Sequence, residues 1–313
     1  MKARWAGAIA AALLAIALPW LISDYNLRVL VLALQSAIAV IGLTIAFGWA
    51  GLIQLGQASF IGVGAYTSAI LALRFGLPFW ITLPLALLAA ALVALALAVP
   101  LLRLRGHYLA LATVGLNVTA EIVMKNWVGL TGGYDGLSGI PDFELFGHKV
   151  EGDLNWYFVS LAFLAAVALM AVLLRNSRYG RAMIAVRDDE IAAGTSGVAV
   201  VRTKVLAFVI ASALAALSGV LYAHYAHYVS PQDFDLARSV TLLVMLIGGG
   251  EMSIAGAVLG ATLLSFAPEW LRFVGDAYLA VFGVGVLLLL VWMPQGVAGW
   301  LRKALARSRA GHA

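Results

Sequence analysis

Long apolar runs separated by short polar connections set the pattern of this chain. The first follows Met1-Lys-Ala-Arg-Trp5 and continues to Ile22. Its basic start resembles a secretory signal peptide, but Leu-Pro-Trp-Leu-Ile-Ser-Asp follows in place of a small-x-small cleavage site, and it reads as an uncleaved first helix. Eight further apolar stretches cover 28–47, 51–73, 79–102, 107–128, 156–174, 205–224, 239–266 and 277–293. At about 20 apolar residues per bilayer crossing, this predicts an all-α polytopic membrane protein with about 8–10 membrane segments. The chain reads as one transmembrane domain over 1–313: a first helix with its uncleaved start (1–27), an extracytoplasmic loop (129–155), a cytoplasmic loop (176–204) and a cytoplasmic tail (294–313).

Lys and Arg in the connections give the orientation. Lys2 and Arg4, Arg103 and Arg105, six basic residues within 175–204, and Arg302, Lys303, Arg307 and Arg309 make up 14 of the chain's 20. These four regions share the cytoplasmic side, which puts both termini there. The opposite connections carry Asp24, Asp135, Asp142, Glu144, Glu151, Asp153, Asp233, Asp235, Glu269 and Asp276. Parity then constrains 239–266, which must begin and end on the outer face. Its centre, Gly248-Gly249-Gly250-Glu251-Met252-Ser253, breaks a helix, so two short helices are predicted as a hairpin or re-entrant pair. Irregular backbone at that depth is tolerated only inside protein or along a cavity.

Composition narrows the class. With 63% apolar and 11% charged residues, against about 45–50% and about 25% in soluble domains, little is left for a soluble domain. No cysteine is present, which excludes disulfides, thiolate metal sites and Cys nucleophiles. The net charge of +5 reports orientation; it does not point to nucleic acid. Walker A and HExxH sequences are absent, as is any Ser-His-Asp set, so no catalytic or metal residues are assigned and any ATP must be bound by another subunit.

Gly56-Gln57-Ala58-Ser59-Phe60-Ile61-Gly62 matches Gly250-Glu251-Met252-Ser253-Ile254-Ala255-Gly256 as Gly-polar-x-Ser-x-x-Gly. Such interrupted segments in two halves point to a weak internal repeat around a pathway; small-residue helix packing is the alternative for the glycines. Gln57, Ser59, Gly62, Gly250, Glu251 and Ser253 are the pathway candidates, because polar groups in a membrane interior face protein or water. Glu121 and Lys125, four apart, read as a structural ion pair facing the bundle, with transport chemistry as the alternative. His224 and His227, among Tyr222, Tyr225 and Tyr228, read as an interfacial aromatic belt. Within 176–204, Ala182, Met183, Ile184, Val186, Ile191, Ala192, Ala193 and Val198 suit short amphipathic helices. Asp188, Asp189 and Glu190 lie near a helix N-terminus, and Gly194 and Gly197 supply the stop. A polar loop this long in a compact membrane protein suggests a docking surface.

Five blocks in order carry a resemblance. They are Gly56-Gln-Ala-Ser-Phe-Ile-Gly-Val-Gly-Ala-Tyr-Thr67, Leu102-Arg-Leu-Arg-Gly-His-Tyr-Leu-Ala-Leu-Ala-Thr113, Thr131-Gly-Gly-Tyr-Asp-Gly-Leu-Ser-Gly-Ile-Pro141, Arg187-Asp-Asp-Glu-Ile-Ala-Ala193 and Gly248-Gly-Gly-Glu-Met-Ser-Ile-Ala-Gly-Ala257. The chain resembles the LivM-type permeases of branched-chain amino acid ABC importers. The resemblance implies a second, LivH-like permease partner, two cytoplasmic ATPase subunits that use ATP and Mg, an extracytoplasmic solute-binding protein, and a bacterial inner-membrane location. It also implies that Arg187, Asp188, Asp189, Glu190, Ala192, Ala193 and Gly197 belong to the ATPase-coupling region. Two departures stand out: Glu251 brings a charge near the predicted turn, and Tyr134-Asp135 replaces a common Pro-Asn. Related permeases serve urea or aromatic and other carboxylates, and an ion-coupled secondary transporter fits the composition as a rival class.

Overall fold

The computed structural model describes residues 15–271, apart from 105, 146 and 147, and beyond them only Gly283, Val284, Gly296 and Gly299. The run before residue 15 and, apart from those four residues, the stretch 277–293 and the tail lie outside the described residues. Among these residues the fold is helical, with two pairs of two-residue strands: Leu137–Ser138 against Tyr228–Val229, and Glu144–Leu145 against His148–Lys149.

The long helices are α1 (Asp24–Leu43, continuing as a wide π turn Thr44–Trp49), α2 (Gln57–Phe75), α3 (Phe79–Leu101), α4 (His107–Asn126) and α5 (Asp153–Asn176). Two short helices follow, α6 (Arg178–Asp188) and α7 (Glu190–Thr195), then α8 (Val200–Ala226), α9 (Leu236–Gly249) and α10 (Ile254–Trp270). Six of these, α1 to α5 and α8, are long and apolar enough to cross a membrane. This is an all-α polytopic membrane protein.

α1 is the central helix. From Leu27 onward most of its side chains are buried, because α5, α8 and α10 pack around it. α2 and α8 approach most closely at glycines: a Cβ on Gly64 would lie 2.3 Å from Ala216 O, and one on Gly219 would lie 2.0 Å from Ile61 O. Apolar burial cannot drive helix association in lipid, so small residues that bring backbones together do this work. α3 uses the same device, with Ala86, Ala90, Ala94 and Ala98 in a fully buried stripe at four-residue spacing. Its other face, Leu88, Leu92, Leu95 and Val99, is exposed and suits lipid.

The predicted break within 239–266 is present. α9 ends at Gly249 and α10 starts at Ile254, and the two run antiparallel with backbone contact: a Cβ on Gly260 would meet Met245 O at 2.0 Å, and one on Gly249 would meet Gly256 O at 2.0 Å. The helices have 14 and 17 residues, about 21 and 25 Å at 1.5 Å per residue. Each is shorter than the ~30 Å hydrocarbon layer. Both outer ends of the hairpin therefore sit at one end of the bundle and its turn points toward the other.

Two expectations need correction. The stretch 51–73 is not helical throughout: residues 51–56 form an irregular segment without regular secondary structure, and α2 begins only at Gln57. His224 does not lie on the protein surface, as an aromatic belt facing the membrane–water boundary would. It is 1% exposed, with Nδ1 2.9 Å from Pro141 O and Nε2 2.9 Å from Ser68 Oγ. His227 Nδ1 lies 3.0 Å from Ile140 O. The two histidines pin the loop after α4 onto the end of α8, His224 because its buried ring nitrogens require partners that water would otherwise supply, and His227 from a partly exposed position.

Candidate functional site

Residues 51–56 re-enter the bundle from the end of α1, with Leu52, Gln54 and Gly56 buried. They deliver the N-terminus of α2 to the level of Ala39, about 15 Å from Trp49 along α1. A helix start leaves its first amide groups without backbone partners, and at this depth water cannot serve them. Side chains do so instead. Thr113 Oγ1 accepts from Leu55 N at 2.9 Å, Ser239 Oγ from Ala58 N at 2.9 Å, and Asn117 Oδ1 from Ser59 N at 3.0 Å. Ser239 Oγ donates to Asn117 Oδ1 at 3.0 Å, and Asn117 Nδ2 donates to Phe234 O at 3.3 Å. Three elements, α2, α4 and α9, thus meet at one buried polar hub.

The pathway candidates fall into two groups around this frame. Gln57 is fully buried and donates to both Ala39 O and Ala211 O at 3.1 Å, tying α2 to α1 and α8. Ser59 Oγ donates to Gly56 O at 2.6 Å, and Gly62 packs against Met124 and Phe234. Gly250, Glu251 and Ser253 form the hairpin turn, where Ser253 Oγ caps α10 by accepting from Gly256 N at 3.1 Å. The two matching sequence blocks therefore differ in helical phase: Ser59 lies inside α2, whereas Ser253 is the cap of α10.

Arg187 joins the loop to this turn. It ends α6, a helix capped at its start by Ser177, and its guanidinium donates to Gly48 O and, at 2.5 Å, to Glu251 Oε1. Gly48 is required here because a Cβ would lie 2.0 Å from Glu251 O. One side chain thus holds the end of α1 and the tip of the α9–α10 hairpin. After Arg187 and Asp188 the chain turns sharply at extended Asp189, whose carboxylate accepts from Ile191 N at 2.8 Å and Ala192 N at 3.0 Å. Glu190 pairs with Lys204 of α8. Met183, Val186 and Ala193 face inward, while Asp188, Asp189 and Ala192 are exposed and Ile191 is 78% exposed. Gly197 closes the elbow with φ +84°, a left-handed conformation suited to glycine.

Glu121 and Lys125 lie on α4, 2.5 Å apart, with Lys125 Nζ 5.5 Å from the centre of the Tyr134 ring. Among the described residues their side chains pair with each other and not with the hub or the hairpin turn. The sequence pattern assigns no role to the hub residues Thr113, Asn117 and Ser239. Their signal, polar side chains inside apolar stretches, was present, but their partners lie 58 to 181 positions away.

Comparison with known proteins places these features in context. Residues 25–292 match the profile of a family described as branched-chain amino acid transport system, permease component. The chain is 34% identical over 320 aligned positions to the high-affinity branched-chain amino acid transport permease LivM of Escherichia coli K12, covering 95% of this chain and 75% of the relative. It is 28% identical to LivH of the same organism, over 84% of this chain and 91% of the relative. It is also 32% identical, over 65% of this chain and 62% of the relative, to the autoinducer 2 import permease LsrC of Klebsiella pneumoniae. No solved structure matches the chain.

Proposed function

This chain belongs to the family of branched-chain amino acid transport permease components, and on that premise we propose that it forms half of the translocation pathway of an ATP-powered importer for branched-chain amino acids. It performs no covalent chemistry. Its partners are a second, LivH-like permease, two cytoplasmic ATPase subunits that bind ATP and Mg, and an extracytoplasmic binding protein that supplies most of the selectivity. The complex sits in the bacterial inner membrane with the basic loop and both termini inside, in line with the distribution of Lys and Arg.

The observation that carries this reading is the α6–α7 elbow: an exposed Ile191 flanked by Asp188 and Asp189, on short helices linked through Arg187 to the membrane core. In this reading the elbow seats in the ATPase. When the ATPase pair closes on ATP, the displaced elbow moves Gly48 and Glu251 together, so the lower end of α1 and the hairpin turn shift as a unit and the two permeases rock between outward- and inward-open states. Gln57, Ser59 and Gly62 on α2, with Gly250, Glu251 and Ser253 at the turn, form the section that this motion opens. A Glu121–Lys125 pair outside that section serves structure.

The test is co-purification of the ATPase with the assembled permease pair. Ile191→Asp is expected to abolish ATPase capture while leaving the permease pair intact, because it puts a charge in the centre of the contact. Capture equal to that of the unsubstituted complex would sink the docking assignment.

A further inference from the structure

Between α1, α2, α8 and the start of α9 lies a half-open cavity of about 380 Å³, within the ~300–1,000 Å³ typical of small-ligand sites. It lies about one helical turn beyond Gln57 on the side away from Arg187, since its wall includes Gln35 while Gln57 bonds Ala39. Gln35 is 2% exposed, and among the described residues neither its amide oxygen nor its amide nitrogen has a hydrogen-bond partner. An amide buried with both ends unmatched is costly to a fold, and here it faces a space large enough to hold a partner.

The rest of the wall carries both signs of charge. Arg238 donates Nη2 to Ser36 Oγ at 2.9 Å, its one side-chain hydrogen bond among the described residues, out of five N–H donors. Asp233 Oδ2 accepts from Ser230 N at 2.9 Å, and Asp235 Oδ1 accepts from Arg238 N at 2.8 Å, so both carboxylates are held in place by backbone. Leu32 and Ile61 provide apolar wall. A simple anion would meet two aspartates here, and a simple cation would meet a guanidinium. A small zwitterion with an aliphatic arm matches both signs of charge: its carboxylate on Arg238 and the Gln35 N–H, its ammonium on Asp233 and the Gln35 oxygen, its side chain on Leu32 and Ile61.

We propose that this cavity is a substrate-binding station within the permease itself, which takes the α-amino acid as a zwitterion after release from the binding protein and before passage between α2 and the hairpin. The aliphatic class of the ligand rests on the family reading above; the zwitterionic head group rests on the cavity.

The experiment is equilibrium binding of radiolabelled leucine to the purified permease–ATPase complex without the binding protein. Saturable binding is expected, displaced by valine but not by isoamylamine, 4-methylpentanoate or urea. Arg238→Gln, Asp233→Asn and Gln35→Leu should each weaken it by about tenfold or more, the order expected for loss of a charge-assisted or desolvated hydrogen bond. Arg238→Lys should retain more affinity than Arg238→Gln, which separates a charge contact from a packing defect, and chromatographic monodispersity checks assembly. Absence of saturable binding, displacement by urea or by either single-ended analogue, or equal affinity in all variants overturns the site. Binding-protein-dependent leucine uptake by the unsubstituted complex is scored alongside: uptake without permease binding removes the station and leaves the transport reading standing, whereas binding without uptake supports the station and removes that reading.

Discussion

At the residue scale, four buried polar groups of this membrane chain, Thr113, Asn117, Ser239 and Ser253, serve helix ends inside the bundle. Asn117 is the clearest case, since it accepts from Ser59 N and Ser239 and donates to Phe234 O. Asn117→Ala leaves a buried amide hydrogen unmatched, a loss of about 1–3 kcal/mol; it should appear as a lower melting temperature of the detergent-purified complex, with Asn117→Leu no better. Arg187 and Glu251 act as a pair, and truncating one leaves the other partly buried without its partner. A double-mutant cycle on Arg187→Ala and Glu251→Ala, read as stability or as uptake per ATP hydrolysed, should show strong non-additivity. Additive effects would mean that the two side chains do not communicate. These residues were only partly legible in the sequence. Glu251 was conspicuous as a charge beside a glycine run, but its counter-ion is 64 positions away, and nothing in local spacing specifies that pairing.

At the element scale, the chain relies on close backbone crossings and on two interruptions. The apolar runs and the Gly248–Gly250 triplet made the spans and the hairpin break readable from pattern alone. The break before α2 was not readable, because residues 51–56 are themselves apolar apart from Gln54 and pattern cannot separate a buried irregular segment from the start of a helix. Glycines of two kinds should respond differently. Gly260→Ala pushes a Cβ into Met245 O at 2.0 Å and should cost about 1–3 kcal/mol or more by overpacking, separating α9 from α10. Gly197→Ala meets nothing within 4 Å and pays only the left-handed backbone penalty of roughly 1–2 kcal/mol. Thermal unfolding of the two variants should rank them in that order; a reversed order would contradict the hairpin contact.

At the scale of the whole molecule, the fold places three features along one axis. A half-open cavity with charges of both signs lies toward the acidic connections, a buried hub holds the broken α2, and an exposed elbow stands at the basic end. Because the native chain has no cysteine, the axis can be read directly. Gln232→Cys in the α8–α9 connection should react with an impermeant maleimide added outside intact cells, and Thr195→Cys in α7 only after the membrane is opened. The scarcity of charge that first marked the chain as a membrane protein also fits a subunit that leaves energy and most recognition to its partners. The measurement that bears most directly on this account is leucine uptake into vesicles containing the complete purified complex. The account predicts uptake that requires internal ATP and external binding protein and persists when ion gradients are collapsed. Uptake driven by an ion gradient without ATP would contradict it.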